Sequence, residues 1–520
     1  DESELRRGMR MGRAILDDED LARPARALSG GTNKIVALIG DAALGGGMAF
    51  EALNYIGQAQ LPMVIILNDN EMSISRNVGA LMKHLGYLRT SSSYRTTRDR
   101  VQEAMEQSGA LGSALMHFGR NAKESMKQFV IPHSMIFEQL GIVCTTPVDG
   151  HNIHELKEML STCLAADGPV LMHVVTKKGA GYGPAMAEPT RFHGTGPYDI
   201  ATGKAIKKPA KAPSYTSVFG EALLNEARAD ERIVAITAAM ESGTGLTSFE
   251  KEFPDRFIDV GICEENAAGM AAGLAIGGRK PVFAVYSTFL QRAIDQLIVN
   301  NALMNLDVVF AIDRAGLVGA DGPTHHGMFD LVYTRMVPNM RVLAPSNEAE
   351  LVNSLHTALV LGGPFAVRYP RGEACGVPIP DKPETYEPGV SRLVRDGLDV
   401  AILAFGNMVA PANEAAAALE GEGLSVRVVD MRWVKPLDTE AIRRAAETRL
   451  VVTVEDGVIA GGVGEEVLAE LARQDAKAPV LTLGIPDRYI MQGAPDLLMH
   501  ELGLDAEGIA VAIEEKLEAL

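Results

Sequence analysis

Apolar residues in this chain follow two rhythms. Nearly unbroken apolar runs at 35–39, 63–67 and 169–175 alternate with stretches in which apolar positions return every three or four residues, as at Ala49, Ala52, Leu53 and Ile56. The short runs predict strands covered on both faces, and the wider spacing predicts amphipathic helices. Alternating along a chain, the two predict parallel sheets crossed by helices. The alternation restarts twice, with strand-like runs at 233–236, 282–285 and 308–312, and again at 400–405, 426–429 and 450–454. The expected fold class is therefore α/β, in three consecutive domains with mostly parallel sheets. The Lys-, Ala- and Pro-rich stretch AIKKPAKAPS at 205–214 reads as a linker, and a Pro-rich join follows at 380–388. The expected domains span 32–204, 215–381 and 388–520, after a charged segment at 1–31. Between 79 and 129 the chain is polar and rich in Arg and Met with weak helical spacing, expected as mobile helices over a site.

A length of 520 residues fits about three hydrophobic cores. The net charge of −18 argues against a nucleic-acid partner or an anionic membrane, since both affinities rest on basic surface. Anionic substrates must then be met by local Arg and Lys. Cys144, Cys163, Cys263 and Cys375 stand far apart with no CxxC pair, which fits reduced thiols better than disulfides or zinc. No apolar run approaches 18 residues, and no basic-then-apolar leader opens the chain, so a cytoplasmic location is expected.

The chemistry begins at KIVALIGDAALGGGMAFEALNYIGQAQLPMVIILNDNEMS, from Lys34 to Ser73. A strand ends in Gly40-Asp41, a glycine turn leads into a helix, and the next strand ends in Asn68-Asp69-Asn70. Two neighbouring parallel strands thus deliver oxygen-bearing side chains to the edge where open α/β sheets bind ligands. Asp41 and Asn70 are 29 positions apart, which suits one βαβ crossover. A carboxylate, an amide oxygen and a glycine-rich helix start together suit a magnesium ion carrying a diphosphate: magnesium takes few protein oxygens, and a helix N-terminus attracts phosphate.

This pattern resembles the thiamine-diphosphate signature, and NDNEMSI in particular resembles the 1-deoxy-D-xylulose-5-phosphate synthase family, over about 33–520. The resemblance implies a thiamine-diphosphate-binding, transketolase-like fold and a homodimer. It implies that Asp41, Asn70 and Met72 hold Mg2+, and that Gly40, Ala42, Ala43 and Lys178 join them around thiamine diphosphate. His193, in TKKGAGYGPAMAEPTRFHG, faces the reacting carbon as a proton-handling group in the same reading. In VGICEENA, Glu264 is the carboxylate expected at the cofactor's aminopyrimidine ring, with Glu265 as its neighbouring alternative. The run YSTFLQRAIDQ is specific to the family: Phe289 stacks on that ring, while Tyr286 and Arg292 point to substrate. In IDRAGLVGADGPTHHG, Asp321 and His325 match acceptor-handling positions, and His326 has no assigned role. Arg371 in YPRG would join Arg292 on the substrate's phosphate. In the third domain MRWVKPLD and GIPDRYI resemble the family without offering a catalytic residue.

The implied reaction condenses pyruvate with D-glyceraldehyde 3-phosphate, releases carbon dioxide and feeds isoprenoid, thiamine and pyridoxal-phosphate synthesis. His325 or His193 protonates the aldehyde oxygen in this scheme. Three positions depart from the family pattern: Ala42 stands for the second glycine of Gly-Asp-Gly, and Asn266 and Val299 each stand for a histidine. Segment 1–31 also shows no counterpart of the family's Gly-His motifs upstream of the signature. These departures leave open a non-catalytic or truncated relative that keeps the fold. A transketolase or a keto-acid dehydrogenase component is a third reading, against which YSTFLQRAIDQ and GADGPTHHG argue.

Overall fold

The computed structural model describes residues 34–72, 78–81, 83, 85–86, 135–206, 212–319 and 321–520. Segment 1–31, most of 79–129 and the centre of the expected linker lie outside the described residues. The chain forms two compact units, one from residues up to 207 with 261–263, the other from 208–260 with 264–520.

In the first unit, β1 (Ile35–Gly40), α1 (Gly47–Ala59) and β2 (Met63–Asp69) form the expected crossover. After α2 (Met135–Gln139) come β3 (Val143–Cys144), β4 (Val148–Asp149), α3 (Ile153–Leu164), β5 (Val170–Val175) and the short α4 (Gly183–Ala187). The sheet order is β1-β2-β5-β3, with β4 also on β5, and every pairing is parallel. Gly40 lies opposite Asn68, which brings the ends of β1 and β2 level. Apolar side chains cover both faces: Leu44, Ile56, Leu67 and Phe137 pack in one cluster, Val64, Val148 and Met172 in another.

The second unit carries two sheets. Its first part runs α5 (Tyr215–Ala229), β6 (Ile233–Thr237), α6 (Thr247–Glu252), β7 (Phe257–Asp259), α7 (Glu264–Ile276) and β8 (Lys280–Tyr286). Successive helical turns from Ser287–Leu290 to the π-helical Leu297–Ala302 lead to β9 (Val309–Ala315), α8 (Asp330–Met336), β10 (Arg341–Leu343), α9 (Glu348–Leu361) and β11 (Phe365–Pro370). The later part runs β12 (Arg392–Arg395), β13 (Val400–Ala404), α10 (Val409–Gly421), β14 (Val426–Asp430), β15 (Trp433–Lys435), α11 (Thr439–Ala445), β16 (Leu450–Val458), α12 (Val463–Arg473), β17 (Val480–Ile485), α13 (Pro495–Glu501) and α14 (Ala506–Glu518). The sheet orders are β15-β10-β11-β9-β8-β6-β7 and β12-β14-β13-β16-β17. Strands β12 and β15 are the antiparallel members; the other pairings are parallel.

The two sheets are stitched together. Strand β15 leaves the third domain's sequence to pair with β10, and its Trp433 is fully buried in the core of the second domain. Arg368 on β11 reaches Asp330 at 3.0 Å and Asp456 on β16 at 2.6 Å, all three buried. A guanidinium between two carboxylates is the arrangement that keeps such charges tolerable away from water.

Candidate active site

The strand ends of the first unit hold a carboxylate in place through backbone donors. Asp41 is buried, and its Oδ1 accepts from the Ala42 N–H at 2.9 Å while Oδ2 accepts from the Glu71 N–H at 2.8 Å. Asn70 Oδ1 accepts from the Met72 N–H at 3.0 Å, so the turn after β2 is folded around its own amide and rests on Asp41. Burial raises the Asp41 pKa, and the adjacent Asp69 raises it further against the two N–H donors. Asp69 in turn meets His173 Nε2 at 2.9 Å, deep in the sheet. Two neighbouring carboxylates with hard oxygens are an environment that a divalent cation relieves. Among the described residues, no atom stands within 4 Å of where a Cβ on Gly45 or Gly47 would be. A carboxylate and an amide oxygen beside a glycine-rich helix start fit magnesium with a diphosphate.

Ala42, which would be strained if its position needed a left-handed backbone, sits at φ −61°, ψ −40°. That is ordinary right-handed geometry, so the methyl group carries no backbone penalty here. Asn266 and Val299 both lie exposed on this chain's surface.

Lys178 and His193, 15 residues apart, meet: Nζ lies 2.6 Å from Nδ1. Desolvation lowers the lysine pKa, with the field of Asp41 opposing. Desolvation and the neighbouring ammonium lower that of the histidine. With the lysine donating to Nδ1, the remaining imidazole proton sits on Nε2, which is then the nitrogen able to donate.

The second unit assembles the other residues. Glu264 opens α7, is 2% exposed, and takes a hydrogen bond from Arg292 Nη1; Arg292 Nη2 also lies 3.4 Å from Glu265. Arg292, expected on the substrate's phosphate, thus lies against the carboxylate expected at the cofactor ring. Phe289 stacks on Tyr286 (centroids 5.6 Å, 25°) and meets the His325 ring edge-on at 5.5 Å. Arg371 Nη1 donates to Asp321 Oδ2 at 2.8 Å, with Arg314 Nη1 3.7 Å from the same oxygen. Tyr286, Phe289, Asp321, His325 and Arg371 are therefore joined by short contacts through one further residue, Arg314, whose guanidinium lies 3.8 Å over the Tyr286 ring.

Sequence reasoning missed Arg314 and its neighbour Asp313. Asp313 is fully buried, opposite Tyr286 in the β8–β9 register, and accepts from Thr216 Oγ1 at 2.8 Å and the Arg314 N–H at 2.6 Å. Burial pushes its pKa up to about 7 against those bonds. Arg314 holds φ +59°, a conformation uncommon for a side-chain-bearing residue. The available signal was their place at a strand's C-terminal end, the position that yielded Asp41 and Asn70.

Comparisons with known proteins agree on the class. Residues 211–376 match the transketolase pyrimidine-binding domain and residues 389–509 the transketolase C-terminal domain. A solved transketolase from Campylobacter jejuni shares the fold at TM-score 0.52 with 18% identity, covering 97% of this chain and 82% of that one. A solved split-gene transketolase, described as an inactive β4 tetramer, aligns at TM-score 0.52 with 33% identity over 58% of this chain and 98% of its own. Fold and site thus define a transketolase-type, thiamine-diphosphate-dependent transferase.

Residues 20–176 match the 1-deoxy-D-xylulose-5-phosphate synthase family. Proteins of that name from Syntrophomonas wolfei and Geobacter sulfurreducens are 46% and 48% identical to this chain, each over 95% of it and over 77% and 78% of the relative. The chain belongs to the 1-deoxy-D-xylulose-5-phosphate synthase family.

Proposed function

We propose that this chain condenses pyruvate with D-glyceraldehyde 3-phosphate, releasing carbon dioxide and forming 1-deoxy-D-xylulose 5-phosphate, as a cytosolic homodimer with Mg2+. The observation that carries the reading is identity of 46–48% to synthases of that name over 95% of the chain. The absence of a described helix long and apolar enough to cross a membrane is compatible with the location.

Thiamine diphosphate, when bound, supplies the electron sink that decarboxylation of a 2-keto acid requires. The chain's residues bind and orient. Asp41 and Asn70 offer hard oxygens to the cation, with the turn at Met72 closing on them, and Lys178 adds positive charge for the diphosphate. Gly40, Ala42 and Ala43 bring backbone to that end of the sheet. Glu264 offers a buried carboxylate to the ring nitrogen of the aminopyrimidine, and Phe289 an aromatic face. Arg371 and Arg292 provide local positive charge for the aldehyde's phosphate on a chain of net charge −18. Tyr286 and Asp321 line the substrate side, and His325 or His193 holds the proton for the aldehyde oxygen.

The test is product analysis with the full chain, Mg2+, thiamine diphosphate and pyruvate, with and without the aldehyde. Deoxyxylulose phosphate formed only when both substrates are present supports the reading. Carbon dioxide release with no condensation product in the presence of both substrates contradicts it.

A further inference from the structure

The loop from β9 to α8, which carries Asp321 and His325, is tied at two levels. At its base Gly316 and Gly327 exchange backbone hydrogen bonds of 2.8 and 2.7 Å. Further out, the third-domain segment 491–495 lies along it. The Gly493 N–H reaches the Gly319 carbonyl at 3.4 Å. Gly319 holds φ +84°, and a Cβ there would stand 2.8 Å from the Gly493 oxygen and 2.9 Å from Pro495 Cδ. Loop and third domain are in direct contact at a position where no side chain fits.

His326 is the side chain inside this contact. It is 1% exposed; Nδ1 accepts from the Val318 N–H at 3.1 Å, and Nε2 faces the Met491 carbonyl at 3.4 Å. Accepting at Nδ1 places the ring proton on Nε2, the nitrogen that faces a carbonyl. The ring therefore links two backbone segments as a neutral imidazole, and burial lowers its pKa, consistent with that state. Its neighbour His325 makes a different set of contacts, with the Phe289 ring and, through Nδ1, with Thr324 Oγ1 at 2.9 Å. One histidine is turned to the aromatic cluster of the site, the next to the third domain.

We propose that His326 is a positioning residue, through which the third domain holds the loop that presents Asp321 and His325 to the acceptor aldehyde. The inference rests on the condensation proposed above. It gives the third domain, from which the sequence offered no catalytic residue, a part in the second half-reaction. None of the residues expected around the cofactor takes part in this contact, so cofactor affinity and aldehyde kinetics should separate in a variant.

The experiment compares full-length wild type, His326→Leu, His326→Gln and Gly319→Ala, with Mg2+ and thiamine diphosphate. Leucine fills the space and removes both polar contacts; the Gln amide restores one acceptor and one donor. Small misplacements of positioning groups cost up to about 100-fold in rate, so His326→Leu is expected to lower kcat/KM for glyceraldehyde 3-phosphate on the order of 10-fold or more. Cofactor affinity by calorimetry should stay within about 2-fold, and His326→Gln should recover most of the loss. Gly319→Ala, with His326 intact, should reproduce the kinetic split. Amide exchange in 316–327 should rise in His326→Leu and Gly319→Ala, a readout independent of turnover. Unchanged exchange in both variants would overturn the proposal, as would cofactor affinity and aldehyde kinetics falling in parallel without rescue by Gln. A wild type that fails to condense the two substrates refutes the proposed function, and loop exchange then decides the positioning role alone.

Discussion

Replacing Arg368 by leucine removes the cation from between two buried acids. Its Nε and Nη1 bond Asp330 at 3.0 Å and Asp456 at 2.6 Å, and the three side chains are 2%, 0% and 2% exposed. Water cannot take over for the guanidinium at that depth. Breaking a buried pair by removing one partner costs about 3–5 kcal/mol, because the other charge is left uncompensated. Here two charges are left, while leucine regains some apolar contact, so about 4 kcal/mol is a fair expectation. For a folding unit of this size that lowers Tm on the order of 10 °C. The deficit should depend on pH with a defined sign. Burial already raises the Asp330 pKa and Arg368 opposes that rise, so without the cation its folded-state value climbs further above the unfolded one and the folded variant binds an extra proton. Its stability is then present at acid pH and lost as pH rises, by up to about 1.4 kcal/mol per carboxyl per pH unit. Thermal melting by near-UV circular dichroism at pH 5.5 and pH 8 measures both quantities. A fall of less than about 2 °C, or the same fall at both pH values, would refute this account of how β11 and β16 are held together.

The wild type should show a milder form of the same dependence. Burial pushes Asp313 and Glu455 each up to about 7, above the ordinary carboxylate values of 3.8 and 4.5, so stability should decline as pH rises through 7. Asp313→Asn should flatten that decline in melts from pH 6 to pH 8; an unchanged slope would contradict the assignment. Asp41→Asn should weaken Mg2+-dependent thiamine diphosphate binding at least 10-fold by calorimetry, and chelation should release the cofactor from the wild type. Equal affinity in the variant, or retention of cofactor under excess chelator, would exclude Asp41 as a ligand. Ala42→Gly should not improve cofactor affinity, because Ala42 already holds right-handed geometry; it should cost about 0.5–1 kcal/mol of stability through backbone entropy. A gain in affinity would mean that the methyl group does obstruct the cofactor.

Much of the fold was legible because parallel strands covered on both faces leave nearly unbroken apolar runs. The runs at 35–39 and 63–67 became β1 and β2, and those at 400–405, 426–429 and 450–454 supply β13, which stops at Ala404, β14 and the first half of β16. Strand β15 was not legible: Trp433–Lys435 is three residues long, and its pairing with β10 is a tertiary fact without a local period. The same division runs through the site. Asp41, Asn70 and Glu264 stand at element ends where sequence alone points to chemistry. Asp313 and Arg314 stand at such an end too, but no short motif marks them. The Arg292–Glu264 and Arg371–Asp321 pairs join residues 28 and 50 positions apart, and only packing shows which charge meets which. At Ala42 residue type alone could not say whether a missing glycine matters: the backbone is right-handed there, so no φ penalty arises, and close approach to a phosphate is a separate condition.

The proposed function rests most on Glu264, whose buried carboxylate would serve thiamine diphosphate through the aminopyrimidine ring. The most direct measurement is the exchange rate of the thiazolium C2 proton of bound thiamine diphosphate, followed by NMR at saturating Mg2+ in wild type and Glu264→Gln. The account predicts exchange slowed on the order of 100-fold in the variant with the cofactor still bound, since a positioned proton-transfer group contributes about that much. Equal exchange rates in the two proteins would contradict it.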